Sequence, residues 1–155
     1  MLSRRTAFAA AALGAPATFA LLRPVVAETG TCATDQSAAN AVVLERYVAA
    51  VNGTDDALRR AIFAEPYIQH GGLKGLREIF PDIHLTVEDR VFGGDKVVAR
   101  NTWTGTHRGT FLGIEPTGKQ VTFSTIDIWR VEGGKFAEHW DVIDIAGLQK
   151  QLRGG

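Results

Sequence analysis

The sequence predicts an α+β domain in which helices come first and an antiparallel sheet follows. Three observations carry this. Residues 35 to 80 place apolar side chains at three- and four-residue spacing, the chain from Ile83 onward alternates apolar with polar residues, and Gly93-Gly94 and Gly133-Gly134 divide the alternating part into hairpins. Helices segregated from a run of strands pack against one face of a curved sheet. With 155 residues, 45% of them hydrophobic and 22% charged, the chain has material for one core and one domain.

Residues 1–27 are set aside as a signal peptide, because they carry a basic tip, an Ala-rich apolar stretch and the small-residue end Val25-Val26-Ala27. Ser3-Arg4-Arg5 followed by Thr6-Ala7-Phe8 resembles a twin-arginine export motif, which points to a bacterial protein that is periplasmic or secreted. The apolar run from Ala7 to Leu22 is interrupted by Gly14 and Pro16 and is short for a span of about 20 residues, so no stable membrane anchor is expected. Residues 28–37 read as a mature N-terminal tail and residues 38–155 as the domain. Cys32, the only cysteine, excludes an intrachain disulfide and a cysteine metal site, and it falls in the tail, where no structured pocket would activate a thiolate.

Asp35 to Asn52 reads as an amphipathic helix through Ala39, Val42, Val43, Arg46, Tyr47 and Ala50, with Asn52-Gly53 as its stop. Thr54 or Asp55 caps a second helix through Leu58, Ile62 and Phe63, ended by Pro66. Lys74 to Phe80 forms a short third helix before Pro81. Strands are expected at 83–92, 96–107, 120–131 and 135–143, with 108–119 a glycine-rich loop and Ile145 to Leu152 a short C-terminal helix.

Residues 1–27 hold three of the 17 basic residues and none of the 17 acidic ones, so the remainder carries a net charge of −3. That balance argues against nucleic acid or an anionic membrane as partner, since both require a basic face. No glycine-rich phosphate loop follows a strand, and nothing resembles a nucleophile elbow. The lysines all fall at turns, element ends or the last helix, which disfavours Schiff-base chemistry.

The chemistry concentrates in the last hairpin. Val121, Phe123, Thr125, Asp127, Trp129 and Val131 share one face of their strand, and an aspartate among such neighbours is unusual. The turn allows two registers. A two-residue Gly133-Gly134 turn pairs Glu132 with Lys135 and sets Asp127 opposite Trp140. A type I turn with a glycine bulge at Gly134 pairs Val131 with Lys135, so that Asp127 faces His139 and Thr125 faces Asp141. The bulged register is favoured because it gathers the titratable groups on one face and leaves Ile126, Ile128, Phe136 and Trp140 on the other. Burial and like charge then raise one carboxylate's proton affinity while the imidazole opposes the rise, which is how a general acid-base pair is made. Both faces of this strand pair look buried, the second against core or a partner subunit.

His139-Trp140-Asp141 also matches the His-x-Asp half of a facial metal triad, but no second histidine follows it, so neither a metal nor another cofactor is expected. His70, after the second helix, could cap the open end of a cone, with Tyr67 and Gln69 beside it. Trp103 and Trp129 are strand aromatics that serve either as core or as a substrate platform, and His107, at a strand end, reads as structural.

Several segments together resemble a known family: Tyr67-Ile68-Gln69-His70, Gly105-Thr106-His107-Arg108-Gly109, Gly113-Ile114-Glu115-Pro116-Thr117-Gly118, Asp127 through Lys135, and Glu138-His139-Trp140-Asp141-Val142-Ile143-Asp144. Over residues 38 to 152 the chain is similar to the SnoaL-like polyketide cyclases of the nuclear transport factor 2-like superfamily. The resemblance implies a conical α+β barrel, a curved antiparallel sheet with three helices enclosing a cavity, commonly as a homodimer. It also implies that an aspartate of the last strand, at the position of Asp141, serves as general acid-base in an intramolecular aldol ring closure. Those cyclases carry a glutamine and a histidine where this chain has Thr125 and Asp127, and an asparagine where it has Gln69 or His70. The stretch between His70 and Pro81 is short for the family.

The expectation is therefore a cofactor-independent enzyme acting on a small, apolar carbonyl compound. Asp141 moves the proton, Asp127 and His139 tune it, His70 and Tyr67 hold an oxygen, and Gln69, Thr125, Trp103 and Trp129 contact the substrate. Two alternatives stay open: an epoxide or lactone hydrolase on the same fold, and an exported protein that binds a hydrophobic molecule without chemistry.

Overall fold

The computed structural model describes residues 36–154, so the signal-like segment and Cys32 lie outside the described residues. The first helix, α1, spans Ser37–Asn52. Its buried stripe is Asn40, Val43, Leu44 and Ala50, with Tyr47 packed against both core clusters, while Val42 is 55% exposed and Ala39 faces solvent. The helix is thus rotated relative to the expected stripe because Asn40 takes an inward place, donating to the Gly94 carbonyl at 3.0 Å. At the other end Asn52 exchanges two hydrogen bonds with the backbone of Leu85, at 2.9 and 2.7 Å, and so docks α1 on the sheet.

Helix α2, Asp56–Ile62, is capped by Asp55, whose carboxylate accepts from the amides of Ala57 and Leu58. It ends earlier than expected, because Phe63–Gln69 is a strand, β1. Pro66 is tolerated there because β1 is an edge strand whose pairing is irregular between Phe63 and Ile68, so the amide proline lacks is not needed. A single helical turn, α3, follows at Leu76–Ile79, shorter than the 74–80 helix expected.

The remaining strands are β2 His84–Gly93, β3 Lys96–Thr106, β4 Gln120–Glu132 and β5 Lys135–Ile143, each within a residue or so of the alternation that predicts it. Helix α4, Ile145–Arg153, is capped by Asp144 and buries Leu148 and Leu152. The five strands form one sheet in the order β1-β5-β4-β3-β2. Pairing from β2 to β5 is antiparallel, and β1 adds a parallel edge to β5. The result is a cone-like α+β fold of the nuclear transport factor 2 type.

The β4–β5 register differs from both expected ones. The turn is the two-residue kind, with Glu132 opposite Lys135, but a bulge follows: Val131 pairs with Phe136 and Arg130 with Glu138, leaving Ala137 as the extra residue. Phe136 and Ala137 are consequently both buried, and Phe136 joins the core instead of the outer face. Beyond the bulge Trp129 faces His139, Asp127 faces Asp141 and Thr125 faces Ile143.

The core lies in two apolar clusters on the sheet's inner side. One contains Val97, Ala99, Trp129 and Phe136 under α1, and the other Trp103, Val121, Phe123 and Leu148. Between them, in the same inward-facing rows, lie Asn101, Thr125 and Asp127, all buried. A polar band thus separates two hydrophobic ones.

Candidate active site

The polar band forms one wall of a cavity of about 330 Å³. Asp127, His139 and Asp141 line it, with Thr125 and Trp129 from β4, Trp103 from β3, Tyr67 and Gln69 from β1, and Tyr47 from α1. Period-two geometry explains most of these placements: in β1, Tyr67 and Gln69 point inward while Ile68 and His70 point outward. His70 is therefore not a cavity residue. Its ring stacks on Trp140 at 4.8 Å and its Nε2 lies 3.1 Å from Glu138 on the opposite side of the sheet.

Asp127 is 3% exposed and acts as acceptor toward three neighbours. His139 Nε2 lies 2.8 Å from its Oδ1, Asn101 Nδ2 donates to Oδ2 at 2.7 Å, and the Thr125 hydroxyl also donates to Oδ2. Thr125 in turn accepts the indole N–H of Trp103 at 3.0 Å. The chain Trp103, Thr125, Asp127, His139 is a connected hydrogen-bond network in a buried setting, which fixes each member's orientation. With Nε2 of His139 turned to Asp127, Nδ1 of the same ring makes no hydrogen bond among the described residues. Its ring is held flat against Trp129, centroids 5.1 Å apart.

Asp141 stands directly across the strand pair from Asp127 in a contrasting setting. It has no side-chain hydrogen-bond partner among the described residues. Burial pushes its proton affinity above the ordinary carboxylate range, His139 opposes the rise, and the Asp127 charge adds to it. Gly72 lies against its carboxylate, so close that a Cβ at that position would come within 2.8 Å of Oδ2. The backbone after β1 therefore covers Asp141, and the φ of +82° at Gly72 is what favours glycine there. Tyr67 and Tyr47 are both pushed upward, first by burial and then by the negative charge of Asp127, so each phenol keeps its proton and remains a donor.

Asp127, His139 and Asp141 also bring one ligand atom each within 4.8 Å of one another. The hydrogen bonds above already take Nε2 of His139 and three acceptor sites of Asp127, so a cation there would compete with three protein donors for the Asp127 charge. The set fits an acid-base pair better than a metal centre. Sequence reasoning missed Asn101 and Tyr47. Asn101 was findable as the one polar residue in the inward phase Val97, Ala99, Asn101, Trp103, and Tyr47 as the one hydroxyl in the apolar stripe of α1.

A family model for SnoaL-like polyketide cyclases matches residues 34–152, and the chain belongs to that family. Among solved structures, TsrD from Streptomyces laurentii is 34% identical, with 74% of this chain and 95% of that one covered and a TM-score of 0.66. AclR from Streptomyces galilaeus, provisionally described as a hydroxylase, is 29% identical over 76% of this chain and 82% of its own, with a TM-score of 0.65. IdmH from Streptomyces antibioticus, provisionally described as a polyketide cyclase, is 26% identical over 73% and 97%, with a TM-score of 0.63. No curated protein matches the sequence.

The raised proton affinity of Asp141 has a consequence for stability. A carboxyl whose folded-state pKa lies above its unfolded value of about 3.9 costs the fold nothing below that pH, and the cost grows as pH rises through the folded value. Asp141→Asn is therefore expected to raise Tm at pH 7 and to leave it unchanged near pH 3. Thermal unfolding of both proteins across that range checks this; a variant less stable at pH 7 would contradict it.

Proposed function

We propose that the cavity is the active site of a cofactor-independent acid-base enzyme of the cyclase or isomerase type, acting on an apolar carbonyl compound. One observation carries the reading: two carboxylates face each other, one engaged by three protein donors and the other without a side-chain partner and with raised proton affinity. Paired carboxylates pushed into different circumstances divide the work of acid-base chemistry. Asp141 takes a proton from the carbon beside the carbonyl and returns it elsewhere on the product. His139, anchored by Asp127, presents Nδ1 as the second proton-transfer group.

The negative charge that develops on the carbonyl oxygen needs donors, and the protonated phenols of Tyr67, from β1 beside β5, and Tyr47, from α1, supply them. Tyr47 takes the part that His70, on the other side of the sheet, cannot. The hydrolase alternative needs two carboxylates around one water, and the three bonds on Asp127 leave only Asp141 free for that task. Binding without chemistry is disfavoured by a cavity in which Asp141, at raised proton affinity, faces a second carboxylate, Asp127.

Ethyl benzoylacetate, a β-keto ester, provides a test through deuterium incorporation at its α-carbon in D₂O. The protein is expected to accelerate incorporation, and Asp141→Asn to lower the rate by about 10² to 10⁴ with the fold intact. Because Asp141 must be ionised to accept the proton, the rate is expected to rise with pH through a midpoint above the ordinary aspartate range. Dialysis against a chelator is expected to leave it unchanged. Full activity in the Asp141→Asn protein would overturn the assignment.

We also propose a homodimer through the outer face of the sheet. The register aligns Val91, Val98, Ile128 and Trp140 in one row, and Ile68, Ile126 and Val142 beside it are 45%, 49% and 72% exposed. An apolar patch of this kind is self-complementary across a two-fold axis. Sedimentation equilibrium is expected to give a dimer, and Ile128→Asp a monomer; a monomeric parent protein would exclude the proposal. Export of the mature domain, read from residues 1–27, stands as a proposal that cell fractionation tests.

A further inference from the structure

A second cavity, of about 370 Å³, adjoins the first. The two share Tyr47, Phe63, Leu76 and Trp103, so they lie side by side, parted only by those side chains. Beyond this partition the second cavity is walled by Ala50 and Val51 from α1, Ile62 from α2, and Ile83. Its two cations are occupied: Arg59 pairs with Asp56 at 2.5 Å, and Arg77 donates to the carbonyls of Val51 and Gly53. No carboxylate or histidine lines it.

The space exists because the segment between β1 and β2 contributes only the single turn of α3, with Leu76 as its one inward apolar side chain at the partition. A closed apolar cavity of about 150 Å³ suffices for one benzene ring, so each of these two is roughly double that requirement. The carboxylates and the histidine all lie in the first, and a mostly apolar surface is what the second offers.

We propose that the second cavity is a substrate-binding lobe, which takes the apolar ring or chain of an elongated carbonyl compound whose reacting carbonyl lies at Asp141 in the first. This rests on the acid-base reading of the first cavity and adds a specificity element to it: Ala50, Val51 and Ile62, none of which lines the acid-base pocket, set how large the apolar part can be. Leu76 and Trp103, on the partition, must lean aside or be straddled when a long ligand is bound. Trp103 thereby becomes a reporter, since its indole lines both cavities while bonded to Thr125.

Two β-keto esters that differ at one end test this: ethyl acetoacetate carries a methyl where ethyl benzoylacetate carries a phenyl ring. Calorimetric titration needs no turnover and is read in the parent protein, in Asp141→Asn and in Val51→Phe. The parent is expected to bind the phenyl compound about tenfold or more tightly than the methyl one, the order that burial of one ring supplies after ordering costs. Asp141→Asn should keep that preference. Val51→Phe, at a half-buried position that admits a larger side chain, should lose it while its affinity for ethyl acetoacetate stays within about twofold. Ala50→Leu gives a second obstruction from the same helix, with Tm confirming that each variant folds.

A parent protein that binds both esters equally, or a Val51→Phe protein with an undiminished preference, would overturn the proposal. The catalytic reading fails separately. A parent protein that shows the preference without accelerating deuterium incorporation would retain the lobe and remove the acid-base assignment. One that accelerates incorporation equally into both esters would do the reverse.

Discussion

The site depends on one extra residue in β5. Phe136 faces the core opposite Val131, and were the strand regular thereafter, the inward positions would fall to Glu138, Trp140 and Val142. Ala137 enters instead as a bulge, itself buried, and the phase reverses, so that His139, Asp141 and Ile143 turn inward. Phe136 stacks on Trp129 at 4.8 Å and meets Tyr47 at 5.7 Å, which packs the bulge from beneath. The same shift sends Trp140 and Val142 outward, beside Ile128 and Ile126 on the outer face of the sheet. A single local irregularity therefore decides both the cavity wall and the outer surface.

Given that placement, the electrostatics follow from burial. Asp127 lies deepest and is engaged by Asn101, Thr125 and His139, each donating to it. Asp141, opposite, lacks such donors, and desolvation drives its proton affinity upward. The two tyrosines, buried near both carboxylates, hold their protons for the same reasons. Hydrophobic clusters flank the polar band on either side, and the hydrogen bonds of its buried members, Asn101, Thr125 and Asp127, are stronger than they would be at a surface. Fold and chemistry are in this sense one arrangement, with two apolar bands doing the packing and the band between them left for polar work.

Much of this was legible from residue order alone. Alternation and paired glycines placed β2 to β5, and the unusual aspartate in β4 marked the reactive face. The edge strand β1 was hidden because Pro66 reads as a helix stop, and only an irregularly paired edge position makes it acceptable within a strand. The bulge was hidden for a different reason. Ala137 has no glycine or positive φ to announce it, and the adjacent apolar pair Phe136-Ala137, out of phase with the alternation, was its only trace. Assigning the bulge to Gly134 gathered the right three titratable residues but set the wrong ones opposite each other. His70 was misplaced for want of β1, since without a strand its outward phase could not be read. Asn101 and Tyr47 were overlooked because neither belongs to a recognisable motif; each matters through its phase within an element.

Asp127 and Asp141 sit in unequal circumstances, and a carboxyl-carbon NMR titration of Asp141 reads this without any substrate. The structure leads to a midpoint above the ordinary aspartate value of about 3.9, falling when Asp127→Asn removes one of the charges that raise it. A midpoint at or below the ordinary value would contradict the account, because Asp141 would then be a solvated surface carboxylate and not the group that carries the proton.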